Sequence, residues 1–474
     1  MPRSRRVILF AVSGVAGFIV LVAAAMLLLV DANVYKSRLE ATASSALGME
    51  VSIGGRLALG LFPGLNISLE DVHVHNRGVE VASATQADLR IDLLPLLANE
   101  VRIGKIALKR ARISIERDRD GRFNLEKTES ARPARPDLDW PNISVSEATL
   151  VYTDKSSAER LEAADCRVDV HRLKLSGGEP SNPMTALSFT AEFGCGAVRS
   201  EAVAVSELKV SAEAKDGVLD LQPVTARVFG AQGSGKIHAD FSGALPLYQV
   251  HYALAQFPIE EFFKAMKMQK AAAGPMDFSA HLSMQGKTVQ QMRQTMTGEI
   301  SLRGKDLTLY GSDLDQQISR YESSQNFNLF DVGAVVLAGP LGLVATRGYN
   351  FATLLQPTGG SSEIRTLVSD WKVERGVARA HDVAIATKEN RVAVQGGLDF
   401  FNQQFDDVTM ALIDAKGCAK VRQKIRGTFT NPVVEKPGFL KSLTGPALGL
   451  LKKGGDLLGV QCEVFYAGSV SAPK

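Results

Sequence analysis

The sequence is poor in the residues that build disulfide scaffolds and metal or catalytic centres. Its 474 residues include four cysteines and seven histidines, and aromatic residues make up 7% of the chain. Four cysteines in a chain of this length exclude a disulfide-dense scaffold. The formal net charge of +3 argues against a nucleic-acid-binding protein, because such proteins work through a strongly basic surface. Hydrophobic residues, by contrast, make up 45% of the chain, which excludes wholesale disorder.

The sequence also lacks the motifs that indicate catalysis or cofactor binding. No Gly-x-Ser-x-Gly, His-Glu-x-x-His or Cys-x-x-Cys pattern occurs. Residues 230–236 have the spacing of a phosphate-binding loop, but Ile237 stands where a Ser or Thr would hold magnesium, so we expect a hairpin turn. Asp71, His73 and His75 have no further His or Cys nearby, which favours a solvated strand face over a metal site. We therefore predict no enzyme, no catalytic residue, no cofactor and no metal.

One long apolar run begins close to the N-terminus. Residues 7–30 contain no charge over 24 positions, and about 20 apolar residues span a bilayer. Arg3, Arg5 and Arg6 precede this run, so the positive-inside rule puts residues 1–6 in the cytoplasm and the body outside. A cleaved signal peptide is the alternative, but the run exceeds the roughly 7–15 residues of its apolar region. We predict a single uncleaved transmembrane helix.

Beyond a predicted helix over 33–47, the hydrophobic pattern changes to a period of two. Residues 101–118 show it clearly, with Lys and Arg on the opposite face and register breaks between the apolar groups. Similar alternation recurs in many later segments, separated by Gly, Asn or Asp. This pattern predicts a mainly β body of short antiparallel strands with few helices. The apolar positions of 101–118 are Val101, Ile103, Ile106, Leu108, Ile113 and Ile115.

Composition divides the body at one Pro-rich segment, which carries three prolines. Short helical patterns at 258–270 and 288–296 and a helical zone over 312–338 interrupt the strands. The predicted segments are 1–6 cytoplasmic, 7–30 transmembrane, 31–130 helix and β region, 131–141 linker, 142–310 central β-sheet region, and 311–474 C-terminal region with the helical zone, further strands and an amphipathic stretch at 439–458.

The four cysteines can form disulfides if the body lies in an oxidising space, as the anchor implies. They allow three connectivities. We favour Cys166–Cys195 and Cys418–Cys462. Cys166 and Cys195 share the parity of neighbouring apolar residues, so two buried thiols remain the alternative to a cross-strand bridge.

Seven segments of the sequence look familiar. They are DANVY at 31–35, Leu47-Gly48, VSIGGRLALGLFPGLNISLEDVHVHN at 51–76, TGEISLRGKDLTLYGSDLDQQI at 297–318, the run from Phe327 through GPLG at 339–342 to SDW at 369–371, GCAKVRQKIRGTFTNPVVEKP at 417–437 and CEVFYAGSV at 462–470. These segments resemble the AsmA family of bacterial inner-membrane proteins. The resemblance extends over nearly the whole chain and is most specific at its beginning and end, while residues of about 150–255 are similar only in their general pattern.

The resemblance implies a periplasmic body anchored in the inner membrane of a Gram-negative bacterium. It implies an elongated, curled antiparallel β-sheet that forms a groove, similar to bridge-like lipid transfer proteins. The family is linked to phospholipid movement toward the outer membrane, to outer-membrane integrity and, indirectly, to outer-membrane protein assembly. The expected partners are therefore the inner membrane, phospholipid, and the outer membrane or its proteins.

Two functions fit this reading. In the first, the apolar positions of 101–118 line a groove along which phospholipid moves. In the second, the protein is an assembly or structural factor that binds outer-membrane proteins by strand addition at an exposed sheet edge.

Overall fold

The protein consists mainly of β-strands, as the sequence predicts. The computed structural model describes residues 36–60, 65–92, 103–126, 138–139, 141–175, 183–200, 204–265, 272–311, 313–316, 318–319, 360–435, 438–439 and 463–473. The predicted membrane span at 7–30 lies outside these residues, as do most of the linker at 131–141 and the amphipathic stretch at 439–458. Within the described ranges, no helix combines the length and the apolar character that crossing a membrane requires.

The strands form two compact units, which we describe separately. Unit 1 consists of the described residues of Met1–Ser181 and Ala186–Glu201, and unit 2 of those of Asn182–Thr185 and Ala202–Lys474. The chain therefore divides near residue 200 and not at the Pro-rich segment. The reason is that strands on either side of that segment pair directly with each other within unit 1.

Unit 1 is one sheet that begins after a helix, α1 (Lys36–Leu47), close to the predicted 33–47. β1 and β2 both pair with β3, and the order continues through β4, β5, β7, β8 and β9, while β6 pairs with the end of β8. The strands are β1 Glu50–Ile53, β2 Leu57–Gly60, β3 Leu65–Asn76, β4 Val79–Ile91, β5 Ile103–Arg117, β6 Leu138–Asp139, β7 Asn142–Asp154, β8 Glu159–Leu175 and β9 Leu187–Ser200.

Helix α1 supplies hydrogen-bond partners for the outer edge of β1. The backbone N–H of Val51 donates to Ser44 Oγ at 2.8 Å, and that of Ile53 donates to Glu40 Oε1 at 2.7 Å. An unpaired strand edge is a template for pairing with another chain. The polar side chains of α1 therefore protect this edge.

One pair of strands in unit 1 departs from the predicted antiparallel arrangement. β5 and β7 run parallel, with Ile106 opposite Ile143 and Ile113 opposite Leu150. A parallel pair needs a crossover of about a dozen residues or more, and the chain from the end of β5 to the start of β7 is long enough. The Pro-rich segment thus lies in a connection between two strands of one sheet.

The alternation of β5 reverses at two irregularities, which account for the apolar groups of 101–118. Gly104 lies between two ladder pairs of shifted register, and Arg110 has a φ of 48°. The apolar positions are odd-numbered before the first irregularity, as at Ile103, and even-numbered between the two, at Ile106 and Leu108. After the second irregularity they are odd-numbered again. The extra residue at Gly104 is a β-bulge, which reverses parity and bends the strand, whereas the left-handed backbone of Arg110 reverses parity without a shift in register. Residues with positive φ also interrupt the neighbouring strands, namely Asp71 of β3, Glu147 of β7 and Asp165 of β8.

Unit 2 contains the remaining strands and two short helices, which lie within the predicted 258–270 and 288–296. The strands pair antiparallel with their neighbours in the chain, except that β13 pairs with β15, β14 with β16 and β23 with β21. Of the predicted helical zone at 312–338, only 313–316 and 318–319 are described, with 314–316 and 318–319 helical. The elements are β10 Ala204–Lys215, β11 Val218–Val228, β12 Ala231–Asp240, β13 Leu247–Pro258, α2 Ile259–Ala265, β14 Ala272–Ala273, β15 Pro275–Gln285, α3 Val289–Thr295, β16 Thr297–Tyr310, β17 Ser361–Glu374, β18 Val377–Ala386, β19 Arg391–Asp399, β20 Gln404–Ile413, β21 Ala419–Thr428, β22 Asn431–Val434 and β23 Gly438–Phe439.

The C-terminal strands of unit 2 are buried on both faces. One face belongs to a large core that includes Trp371. On the other face, Phe465 and Val470 of the C-terminal segment pack over small residues of β18 to β20, such as Ala393. The guanidinium of Arg391, which is buried, donates to the carbonyl of Val470 at 2.6 Å and so fixes this segment.

A disulfide joins Cys166 of β8 to Cys195 of β9, which lie directly opposite each other. It is one of the two bridges favoured from the sequence. Cys418 is also disulfide-bonded, and Cys462 lies outside the described residues. The Cys166–Cys195 bridge is buried, with each cysteine 3% exposed.

Replacing both Cys166 and Cys195 with Ala should destabilise unit 1. The bridge closes a loop with a sequence separation of 29, and removing such a constraint costs about 3 kcal/mol in the chain-entropy model. Alanine fits the site because alanines occupy neighbouring buried positions of the same cluster. Chemical unfolding of the purified chain measures the loss, and an unchanged unfolding midpoint would contradict the structural role.

Candidate functional site

Unit 1 presents one almost continuous apolar sheet face, which we call the inner face. Residues that pair across neighbouring strands lie on the same face, so the ladders define rows that run across the sheet. Both of the following rows consist of apolar residues from β3, β4, β5, β7 and β8 in turn. They are Ile67, Leu89, Ile106, Ile143 and Val170, and Leu69, Ala87, Leu108, Val145 and Val168.

The sequence-predicted residues of β5 lie on this inner face where the structure describes them. Ile106 and Leu108 belong to the two rows above, and Ile113 pairs with Ala82 of β4 and Leu150 of β7. Ile115 pairs with Tyr152, and Ile103 with Ile91. Val101 lies outside the described residues. The two irregularities of β5, at Gly104 and Arg110, bring odd-numbered and even-numbered residues to the same face.

The inner face is only partly buried: Leu69 and Val145 are buried, but many of its other large side chains are not. Its most buried central positions are small residues, among them Ala84, Ala111 and Cys166, each at most 8% exposed. Large side chains such as Ile106, Leu108 and Ile113 are only partly buried, and Ile103 is 39% exposed. A face packed under a second layer would bury its large side chains most. The described part of unit 1 offers only α1 as a cover, through Leu39 near Leu69.

The opposite, outer face of unit 1 is polar and internally hydrogen-bonded. Ser68 Oγ donates to Asp88 Oδ1 at 2.6 Å, and Gln86 Nε2 donates to the same carboxylate at 2.9 Å. His73 lies 2.8 Å from Glu80, and this hydrogen bond raises the pKa of the imidazole and lowers that of the carboxyl. Among the described residues, no group of three His, Cys, Asp or Glu side chains has the arrangement of a metal site.

Unit 2 begins with an inner face of the same kind. Residues that pair across β11, β12, β13 and β15 on this face are again apolar, and many of them are partly exposed. The sequence shows alternation at 237–241 and 249–254, in β12 and β13, but none of their residues is among the predicted groove residues. One row consists of Leu221, Ile237, Val250 and Leu282.

The segment that resembles a phosphate-binding loop proves to be part of this inner face. Only Gly230 lies in a turn, and the rest of 230–236 belongs to β12, which corrects the hairpin-turn interpretation. The ring of Tyr252 lies over Gly233 and Gly235, since a Cβ on Gly233 would lie 2.1 Å from the Tyr252 hydroxyl. The two glycines therefore make room for a tyrosine and not for a phosphate.

The Tyr252 hydroxyl is buried and has no hydrogen-bond partner among the described residues. Burial raises its pKa. Burying a polar group without a hydrogen-bond partner costs folding free energy. The Tyr252 hydroxyl is therefore a polar atom of the inner face of unit 2 that lacks a hydrogen bond among the described residues.

The family comparison matches most of this β-rich chain. A model of the AsmA family matches residues 1–194 and 191–334. The chain belongs to the AsmA family. The resemblance drawn from sequence is thereby confirmed at the level of the family. Comparisons with curated proteins and with solved structures found no match.

Membership of the AsmA family connects the chain with a membrane-associated function related to lipids or the outer membrane. The match includes every strand of unit 1 and the strands of unit 2 up to β16. It therefore contains all of the partly exposed apolar rows, whereas β17 to β23 lie beyond it.

Replacing Gly233 with Ala should destabilise unit 2 by about 1–3 kcal/mol, because the added methyl group overlaps the Tyr252 ring. The same substitution should cost much less in a Tyr252→Ala background. Gly235→Ala is the matched control, since its methyl group would lie closest to the backbone oxygen of His251, at 2.2 Å, and this overlap remains after Tyr252 is replaced. Unfolding curves of the three single variants and the two double variants measure this coupling, and equal costs of Gly233→Ala in both backgrounds would contradict the packing described.

Proposed function

We propose that this AsmA-family protein moves phospholipid toward the outer membrane with the acyl chains on its apolar inner faces. The observation that carries the proposal is that one complete row of aliphatic side chains across the inner face of unit 1, from Ile67 to Val170, stays partly exposed. Exposed apolar surface is unfavourable by about 25 cal/mol per Å². Acyl chains would cover that surface and leave the headgroup in water.

The energetics of such a surface suit transport along it. Each buried methylene contributes about 0.8 kcal/mol, so a diacyl lipid would not escape readily into solvent. Successive positions across β3 to β8 carry similar aliphatic side chains, as Ile106 and Ile143 illustrate. Movement from strand to strand therefore exchanges one apolar contact for a similar one and needs no nucleotide.

The proposal includes the surroundings of the protein. Residues 7–30 would anchor the chain in the inner membrane, with residues 1–6 in the cytoplasm and the body in the periplasm. The protein would act without catalysis, as a carrier or conduit, with phospholipid as its ligand. Support for outer-membrane integrity and for outer-membrane protein assembly would follow from this lipid supply.

Strand addition to outer-membrane proteins is the second candidate, and it has less support. It needs an accessible strand edge, but α1 already satisfies the outward N–H groups of Val51 and Ile53 on β1. Crosslinks to outer-membrane proteins, together with an absence of bound lipid, would favour it over lipid transport.

Ile113→Asp should reduce the phospholipid that copurifies with the full-length protein. An unpaired carboxylate against acyl chains costs several kcal/mol, so we expect a loss of about tenfold or more, measured by native mass spectrometry after gentle extraction. Arg112→Asp is the matched control, because Arg112 is the exposed neighbour on the outer face of the same strand. It should leave bound lipid unchanged.

The same two variants test the role in cells. In a strain that lacks redundant relatives, Ile113→Asp should increase sensitivity to detergent at an unchanged protein level. Wild-type protein that carries no phospholipid, or an Ile113→Asp variant with the lipid content and barrier function of the wild type, would contradict the proposal.

A further inference from the structure

The inner face of unit 2 changes from partly exposed to fully buried across β13. Val250 is partly buried, whereas Leu254, two pairs further along the same face, is 3% exposed. Beyond it, Met276 of β15, Leu302 of β16 and Trp371 of β17 are each 2% exposed. The apolar face thus continues in the sheet but stops being accessible.

The chain's own side chains fill the space beyond this border. The core that contains Leu302 and Trp371 also contains Met410 of β20 and Ile425 of β21, both 0% exposed. The inner faces of β16 and β17 therefore pack together with those of β20 and β21 in one closed core. Such a core is close-packed and leaves no path for an acyl chain.

Aromatic residues mark the border itself. The Phe229 ring packs edge-on against Phe262 of α2 at 5.2 Å and against Phe257 of β13 at 6.0 Å. On β13 itself, next to the core residue Leu254, the Tyr252 ring packs against the core and covers Gly233. The accessible part of the inner face of β11 to β13 therefore ends at these aromatic side chains.

From this change we infer that the inner face of unit 2 is a closed-ended acyl-chain site. Acyl chains occupy the face up to Tyr252, and the core that begins at Leu254 of β13 and continues to β21 carries none. A lipid in unit 2 consequently enters and leaves from the open face and does not pass through the C-terminal half of the unit. This inference rests on the function proposed above and adds the place where the lipid path ends.

The chemistry of the face favours an acyl chain over a peptide. A bound peptide must satisfy its backbone N–H and C=O groups, and the sheet interior of β11 to β13 has its own backbone groups paired in ladders. The inward positions of these strands are aliphatic residues, glycines, Tyr248 and Tyr252. An acyl chain needs no hydrogen bonds and fits such a surface.

Photocrosslinking in the full-length protein tests this inference. p-Benzoylphenylalanine would replace one aromatic residue at a time, which keeps the change in shape small. Phe193 lies on the inner face of unit 1, Tyr248 on the open face of unit 2, and Phe400 packs against the closed core at a partly buried position. Each variant would be irradiated in native membranes, and adducts to phospholipid identified by mass spectrometry.

We expect phospholipid adducts at Phe193 and Tyr248 and none above the unirradiated background at Phe400. Adducts of similar yield at all three positions would overturn the closed end while supporting lipid transport. Adducts at none of them, in variants that retain wild-type abundance, would overturn the proposed function together with this inference. The Phe405 position, 6% exposed in the same core, provides a second probe beyond the border and should also give no adduct.

Discussion

Successive side chains of a strand point to opposite faces of the sheet, so each alternating strand has one apolar and one polar side. A sheet is amphipathic only if the apolar sides of all its strands lie on the same face, that is, if the strands stay in phase. In unit 1 this phase survives several irregularities, since residues with positive φ, such as Arg110 and Glu147, occur in neighbouring strands. Rows of aliphatic partners continue on both sides of them. The apolar inner face, the polar outer face and the cross-strand disulfide all depend on this common phase.

The two units treat an apolar face in different ways. Unit 1 leaves the row of aliphatic side chains from Ile67 to Val170 partly exposed, although Leu69 and Val145 of the next row are buried, so its inner face can accept a flexible apolar ligand. The C-terminal half of unit 2 folds its inner face into a core around Trp371 and covers its outer face with the segment of Phe465 and Val470. That half is therefore a stable end of the fold, and the accessible apolar surface lies in the strands that the AsmA-family model matches.

Much of the fold could be predicted from the period-two pattern, including the strand character of 103–117, the register breaks within it and the three short helices. The inward face of β5 could be predicted because Lys and Arg mark its opposite side. The parallel pairing of β5 with β7 could not, because alternation does not encode strand direction. The role of Gly233 and Gly235 was also missed, since a glycine pattern in sequence does not reveal the tyrosine that lies over it in the next strand.

A cryo-electron microscopy map of the full-length protein, isolated without detergent in its native lipids, tests the central claim most directly. The account predicts elongated density that no protein residue explains along the row from Leu69 to Val168 of unit 1, and similar density in unit 2 that ends at Tyr252. It predicts none inside the core around Trp371. An inner face in contact with water alone, or covered by an ordered protein segment, would contradict the claim that acyl chains occupy it.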